Sequence, residues 1–359
     1  MAGDLHGGDI YNKKITLDFS VNVNPLGMPS GVRQALRDSI GHWSRYPDPE
    51  CRELAGRLGE RHNIEKERIV CGNGAADLIY RLAWAVRPGR ALLPAPTFSE
   101  YERALLSVRS RVRYYCLKEE QDYRIEVQEL CGLLEKGDIL FLCNPNNPTG
   151  LAVKNSRIEL LAEACREKNG FLVLDECFCE FLDKPEQYTF MEKIREYPQV
   201  VILRAFTKSY AMAGLRLGYA VCGDIGLAQR LRLTGQPWSV SAPAQEAGVA
   251  ALEENDYLEK ARKLIQVERE WMRGQLAGLG FRVFPSQVNY FLFKDKEENR
   301  HGDLWEGLQK QKILIRDCSN FVGLEAAKNG SACRYYRTGV KTHRDNEMLL
   351  DNICRILAH

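Results

Sequence analysis

The sequence has no uninterrupted apolar run approaching the roughly eighteen residues that a membrane helix needs, and its first residues, MAGDLHGGDIYNKK, contain no apolar core of a secretory signal. A cytoplasmic protein without a membrane partner is expected. Charge of one sign is not in excess either, since 50 basic side chains against 48 acidic ones leave a net charge of +2. That is too near balance to create the field that draws proteins onto phosphate backbones, so nucleic acid is not an expected partner. Metal-ligand spacing is missing as well. No C-x-x-C or H-E-x-x-H pattern occurs, and His6, His42, His62, His301, His343 and His359 lie far apart, so no metal is expected. The closest of the 12 cysteines, Cys177 and Cys179, are separated by a single residue, and reduced, mostly buried thiols suit a chain of this length better than a disulfide framework.

What is present is a packed globular composition. Hydrophobic residues at 45% and charged residues at 27% exclude collagen, coiled coil and wholesale disorder, and 359 residues favour two domains over one. From about residue 69 to 222, short apolar runs alternate with helical patterns: IVCG at 69, ALLPA at 91, ILFLC at 139, FLVLD at 171, VVILRAF at 200 and YAVC at 219. Between them, stretches such as AADLIYRLAWAV and SRIELLAEACREK repeat apolar residues at three and four. This α/β rhythm predicts a large domain with a mostly parallel sheet covered by helices on both faces. Residues 246 to 279 read as a long charged helix, broken near Asn255 and ending at Gly278 and Gly280. RVFPSQVNYFLFK, KILIRDC and CRYYRTGV then predict an antiparallel sheet in a smaller α+β C-terminal domain.

Ligands of open parallel sheets bind beyond the carboxyl ends of the strands, so the residues that follow each apolar run carry the functional information. After IVC, Gly72-Asn73-Gly74-Ala75-Ala76-Asp77 leads into a helix and offers small residues and free amides suited to a phosphate, although a tight turn without a ligand has the same pattern. Phe98, after ALLPA, can stack on a flat ring or simply pack. After ILFLC, two prolines stiffen Asn144-Pro145-Asn146-Asn147-Pro148-Thr149-Gly150, a loop that presents several amides. Asp175, at the end of a buried strand, needs a cation or donors, and a structural salt bridge is the plain alternative. Thr207 and Lys208 follow VVILRAF, with Arg216 in the small-residue loop AMAGLRLG, and a lysine beside the end of a sheet is a candidate amine nucleophile. Together these supply what pyridoxal phosphate needs: a phosphate cradle, a stacking ring, a donor to the ring oxygen, a carboxylate for the pyridine nitrogen and a Schiff-base lysine.

On NPNNPTG, LDE and AFTKSYAMAGLRLGY, in that order, the sequence resembles the fold-type-I, aspartate-aminotransferase-like pyridoxal-phosphate enzymes over essentially its whole length. The resemblance implies that Ala75, Ala76, Thr207 and Arg216 hold the phosphate, Phe98 covers the ring, Asn147 meets its oxygen, Asp175 its nitrogen, and Lys208 forms the Schiff base. It makes Lys208, Asp175 and Asn147 the catalytic set. It further implies that Arg337, in YYRTGVKT, clamps a substrate carboxylate and that Tyr46, in RYPDP, reaches the phosphate of a neighbouring subunit in a homodimer with shared active sites. Residues 1–40 become an N-terminal arm and part of the small domain, 41–245 the large cofactor-binding domain and 246–359 the small C-terminal domain.

Within the family, HGGD at 6, DFSVNVNPLG at 18 and RYPDPECRELAGRLGERH at 45 look most like threonine-phosphate decarboxylases of cobalamin synthesis, close relatives of histidinol-phosphate aminotransferases. By that similarity His6, Gly7, Asn24 and Arg316 join Arg337 around a phosphorylated amino acid or amine. Two positions depart from the family pattern: Phe178 stands where a tyrosine is usual, and Ala205 where a hydroxyl residue is frequent. Ala213, where the decarboxylases more often carry proline, keeps transamination with 2-oxoglutarate as the alternative reaction. A nicotinamide-dependent oxidoreductase would read GNGAAD as a dinucleotide turn, and it leaves Lys208, Asn147 and Asp175 without a task. A non-catalytic cofactor-binding homologue is a third reading.

Overall fold

The computed structural model describes residues 6–11, 14–295, 304–324 and 334–358. Its strands in chain order are β1 (Leu17–Asp18), β2 (Ile69–Gly72), β3 (Arg90–Ala95), β4 (Arg111–Cys116), β5 (Ile139–Cys143), β6 (Phe171–Asp175), β7 (Val200–Ala205), β8 (Gly218–Cys222), β9 (Phe281–Val283), β10 (Tyr290–Asp295), β11 (Ile313–Leu314), β12 (Arg316–Asp317) and β13 (Tyr335–Gly339). Seven of them form one sheet in the order β2-β8-β7-β6-β5-β3-β4. All its pairings are parallel except those of β8, which runs antiparallel to both β2 and β7.

The apolar runs are continuous rather than alternating because helices cover both faces. Along β5, Leu140 and Leu142 join one core while Ile139 and Phe141 join the other. The sequence signal missed β4. This edge strand, RVRYYC, leaves Arg111, Arg113 and Cys116 exposed, so it has no apolar run to detect.

The long helical stretch is broken where Asn255 falls, into helices Ala242–Leu252 and Tyr257–Gly278. Beyond it, β12-β13-β10-β9 form a second sheet with antiparallel pairing throughout. Its core holds Met272, Phe291, Phe293, Tyr336 and Leu349, together with Phe19 from the start of the chain. The neighbouring β1 pairs in parallel with β11, with Leu17 opposite Ile313. These contacts bring the DFSVN segment to the carboxyl edge of the large sheet.

Candidate active site at the carboxyl edge of the large sheet

The ends of β5, β6 and β7, the start of helix Gly74–Val86 and the strands β12 and β13 enclose a cavity of about 410 Å³, a size usual for small-molecule sites. Lys208 lines it from the short helix Phe206–Ser209 that follows β7. Burial pushes the Lys208 amine down to about 8; the Arg337 and Arg216 charges act the same way, and Cys177 and Asp18 oppose them. Part of the population is therefore a neutral nucleophile near neutral pH.

Asp175 also lines the cavity and is only 5% exposed. Its Oδ2 accepts from the Tyr101 hydroxyl at 2.6 Å and its Oδ1 from the Cys177 N–H at 3.1 Å. Both donors are neutral, so a carboxylate this desolvated retains the capacity to meet a cation from within the cavity. The adjacent Glu176 has the structural role. Its carboxylate is fully buried, paired with Arg204 at 2.6 Å and bonded to Thr189 and the Phe190 N–H.

The asparagines of the 144–150 loop divide their work. Asn144 is spent on Val153 and Tyr188, and Asn146 on Pro96, Thr97 and Thr149. Asn147 lines the cavity, and its Oδ1 accepts from Arg337. Arg337 lies directly opposite Arg316 in the β12–β13 pair, and both residues line the cavity. Arg337 donates to two neutral oxygens, Asn147 Oδ1 and, at 2.6 Å, Ser20 O, while its Nε is buried without a partner. Burial lowers its pKa. Such a cation is a ready receptor for an anionic ligand.

Ala75 and Ala76 present the first amides of helix Gly74–Val86 to the same space, together with Thr207 and Arg216. Gly74 has φ +78°, and a Cβ there would lie 2.6 Å from Arg216 Nη2, so the bare backbone lets the guanidinium close the cup. Phe98, edge-on to Tyr101 at 5.6 Å, adds an aromatic wall. Phe178 also lines the cavity and packs edge-on against Tyr290 at 4.9 Å; Ala205 lies nearby. An amide-lined cup, an aromatic wall, a desolvated carboxylate and an amine of lowered pKa suit a phosphorylated, cationic heteroaromatic aldehyde.

His6 and Gly7 line the cavity as well. Asn24 does not. Its backbone N–H donates to Lys208 O at 3.1 Å and so pins the lysine's carbonyl, while its side chain is engaged elsewhere, Nδ2 donating to Ser209 O at 2.8 Å and Oδ1 accepting from the Leu26 N–H. Asn22 takes the place facing the ligand space: it lines the cavity, is 3% exposed, and its Oδ1 has no partner. Tyr46 also lies outside this chain's own cavity. It is 81% exposed and packs on Trp238 at 4.8 Å. Three residues that the sequence reading passed over, Asn22, Tyr101 and Glu100, bear on the site. The signal available for the last two was FSEY itself, which places a carboxylate and a phenol beside a strand end.

Residues 14–348 match the model of aminotransferase class I and II. The chain belongs to that family. A threonine-phosphate decarboxylase of Salmonella typhimurium is 35% identical, in an alignment covering all of this chain and 98% of the relative. Among solved structures, the histidinol-phosphate aminotransferase of Clostridium acetobutylicum superposes with a TM-score of 0.85 at 27% identity, covering 95% of this chain and 99% of that one. The L-threonine-O-3-phosphate decarboxylase of Porphyromonas gingivalis does so with a TM-score of 0.82 at 25% identity, covering 96% and 100%. The fold is thus aspartate-aminotransferase-like. No helix among the described residues is long and apolar enough to cross a membrane.

Proposed function

We propose that this chain is a pyridoxal-phosphate-dependent decarboxylase of O-phospho-L-threonine, releasing carbon dioxide and leaving aminopropanol phosphate. The observation that carries the reading is the convergence on one cavity of Lys208, Asp175, the cup at Ala75 and Ala76, and two buried arginines on adjacent strands. The likeness to threonine-phosphate decarboxylase over the whole chain supports the choice of substrate.

Ala75, Ala76, Thr207 and Arg216 would hold the cofactor's phosphate, and Phe98 would cover its ring. With Oδ1 taken by Arg337, Asn147 keeps its Nδ2 as a donor for the ring oxygen. Asp175 would face the pyridine nitrogen and keep that nitrogen protonated. When bound, the cofactor supplies an electrophilic aldehyde and a ring that draws electrons from the bond broken at the substrate's α-carbon. Arg316, Arg337, His6 and Asn22 would bind the substrate's phosphate and carboxylate and so set which α-carbon bond stands perpendicular to the ring. With the carboxylate held out of the ring plane, carbon dioxide leaves and Lys208 delivers the proton that replaces it.

Ala213 and the likeness to a histidinol-phosphate aminotransferase favour a second reading, transamination of a phosphorylated amine. Both readings make the protein a homodimer with shared active sites, in which Tyr46 reaches the partner's cavity; the exposed Ile40, Trp43 and Tyr46 supply an apolar surface for that contact. Purified holoenzyme is given O-phospho-L-threonine with and without 2-oxoglutarate, and carbon dioxide and glutamate are assayed in parallel. Gas without glutamate is expected in both. Glutamate without gas would replace the decarboxylase with the aminotransferase.

A further inference from the structure

We propose that Glu100 is a positioning residue of the substrate site, holding His6, and with it residues 6–8, across the mouth of the cavity; this rests on reading the site as one for a phosphorylated amino acid. Two acidic side chains line the cavity among the described residues, Asp175 and Glu100, and only Asp175 has a place in the chemistry above. A second carboxylate, in a wall that also carries Lys208, Arg216, Arg316 and Arg337, opposes an anionic ligand unless it serves another purpose.

Its contacts supply that purpose. Glu100 opens the helix Glu100–Ser107 and is 8% exposed. The Tyr80 hydroxyl donates to its Oε2 at 3.2 Å, and Arg103 Nη1 to its Oε1 at 2.9 Å. Both donors sit on helices beside the large sheet, so the carboxylate is fixed without help from the N-terminal segment. His6, 94 residues away in sequence, places its Nε2 at 2.8 Å from Glu100 Oε1. That hydrogen bond, above all, holds the Glu100 carboxyl down at about 2, against the opposing effect of burial. An ionised carboxylate only accepts, so Nε2 carries the proton of this hydrogen bond.

The segment's second anchor is Ser20. Its Oγ accepts from the Gly8 N–H at 2.8 Å, and a Cβ on Gly7 would lie 2.3 Å from Ser20 O, the same oxygen that accepts from Arg337. Residues 6–8 therefore form a strap from the large sheet's edge to the arginine that faces the substrate. Glu100 is the tie on the sheet side.

The test uses holoenzyme and measures O-phospho-L-threonine affinity by the change in cofactor absorbance. Glu100→Ala and His6→Ala are each expected to weaken binding about tenfold, and the double variant to be no weaker than His6→Ala by more than about twofold. Glu100→Gln, which keeps an acceptor, should recover most of the loss. Losses that multiply in the double variant would overturn the proposal. If Glu100→Ala does not fold, Glu100→Leu takes its place in the same cycle, and losses that multiply with His6→Ala overturn the proposal. A substrate-free readout separates the tie from the substrate assignment: Gly8 amide exchange in the holoenzyme should quicken in Glu100→Ala, and an unchanged rate overturns the tie. Wild-type protein that fails to bind O-phospho-L-threonine would instead overturn the substrate reading, while the exchange measurement still decides the role of Glu100.

Discussion

Titration of the apoprotein should reveal the altered amine of Lys208 directly. Capture of an aldehyde needs the neutral amine, and a pKa of about 8 leaves roughly one molecule in ten neutral at pH 7. An ordinary lysine at 10.5 leaves roughly one in three thousand, so the advantage is about 300-fold. Pyridoxal phosphate capture is followed by stopped-flow absorbance and divided by the rate for an N-acetyl-lysine amide at the same pH, which removes the cofactor's own ionisation. The ratio should be flat below pH 8 and fall about tenfold per unit above it. Arg337→Met should move the break to higher pH, because the neighbouring positive charge no longer disfavours the ammonium. The same shift affects stability. The folded value lies below the unfolded one, so the unfolded chain binds the extra proton between pH 8 and 10.5 and apoprotein stability rises across that window, by roughly 3 kcal/mol in all. A normalised capture rate that stays flat to pH 10 would show that the Lys208 amine titrates like an ordinary lysine.

Three further outcomes are expected. Phe178→Tyr adds a hydroxyl in the cavity beside Tyr290, and as a donor to the ring oxygen it should move the midpoint of the holoenzyme's pH-dependent visible absorbance to lower pH; an unchanged or higher midpoint contradicts this. Gly74→Ala forces a Cβ to within 2.6 Å of Arg216 Nη2 at a φ of +78°, and should weaken cofactor binding about tenfold in an equilibrium titration. Unaltered affinity would remove Gly74 from the cup. Glu176→Ala leaves the buried Arg204 with Glu180 as its remaining carboxylate, and should lower urea stability by about 3 kcal/mol, whereas a loss below about 1 kcal/mol would deny the pair its structural role.

The large sheet was legible because β5, β6 and β7 are buried on both faces, and each delivers its site residue at or just beyond the end of a mainly apolar run. β4 escaped notice because an edge strand exposed on one side needs no such run. The asparagines of DFSVNVNPLG show a different limit. Asn22 and Asn24 are two residues apart in the same segment, and sequence offers no means of telling which one meets the ligand space. The backbone carbonyls of Lys208 and Ser209 decide it by engaging Asn24. Glu100 was invisible for a related reason: a glutamate at the start of a helix is ordinary, and its partner His6 is brought to it only by tertiary structure.

The cofactor is proposed to be carried on the side chain of Lys208. Borohydride reduction of cofactor-saturated protein, followed by proteolysis and peptide mass mapping, should find a single pyridoxyl adduct on the peptide that contains Lys208. An adduct on a different lysine, or saturated protein with none at all, would contradict it.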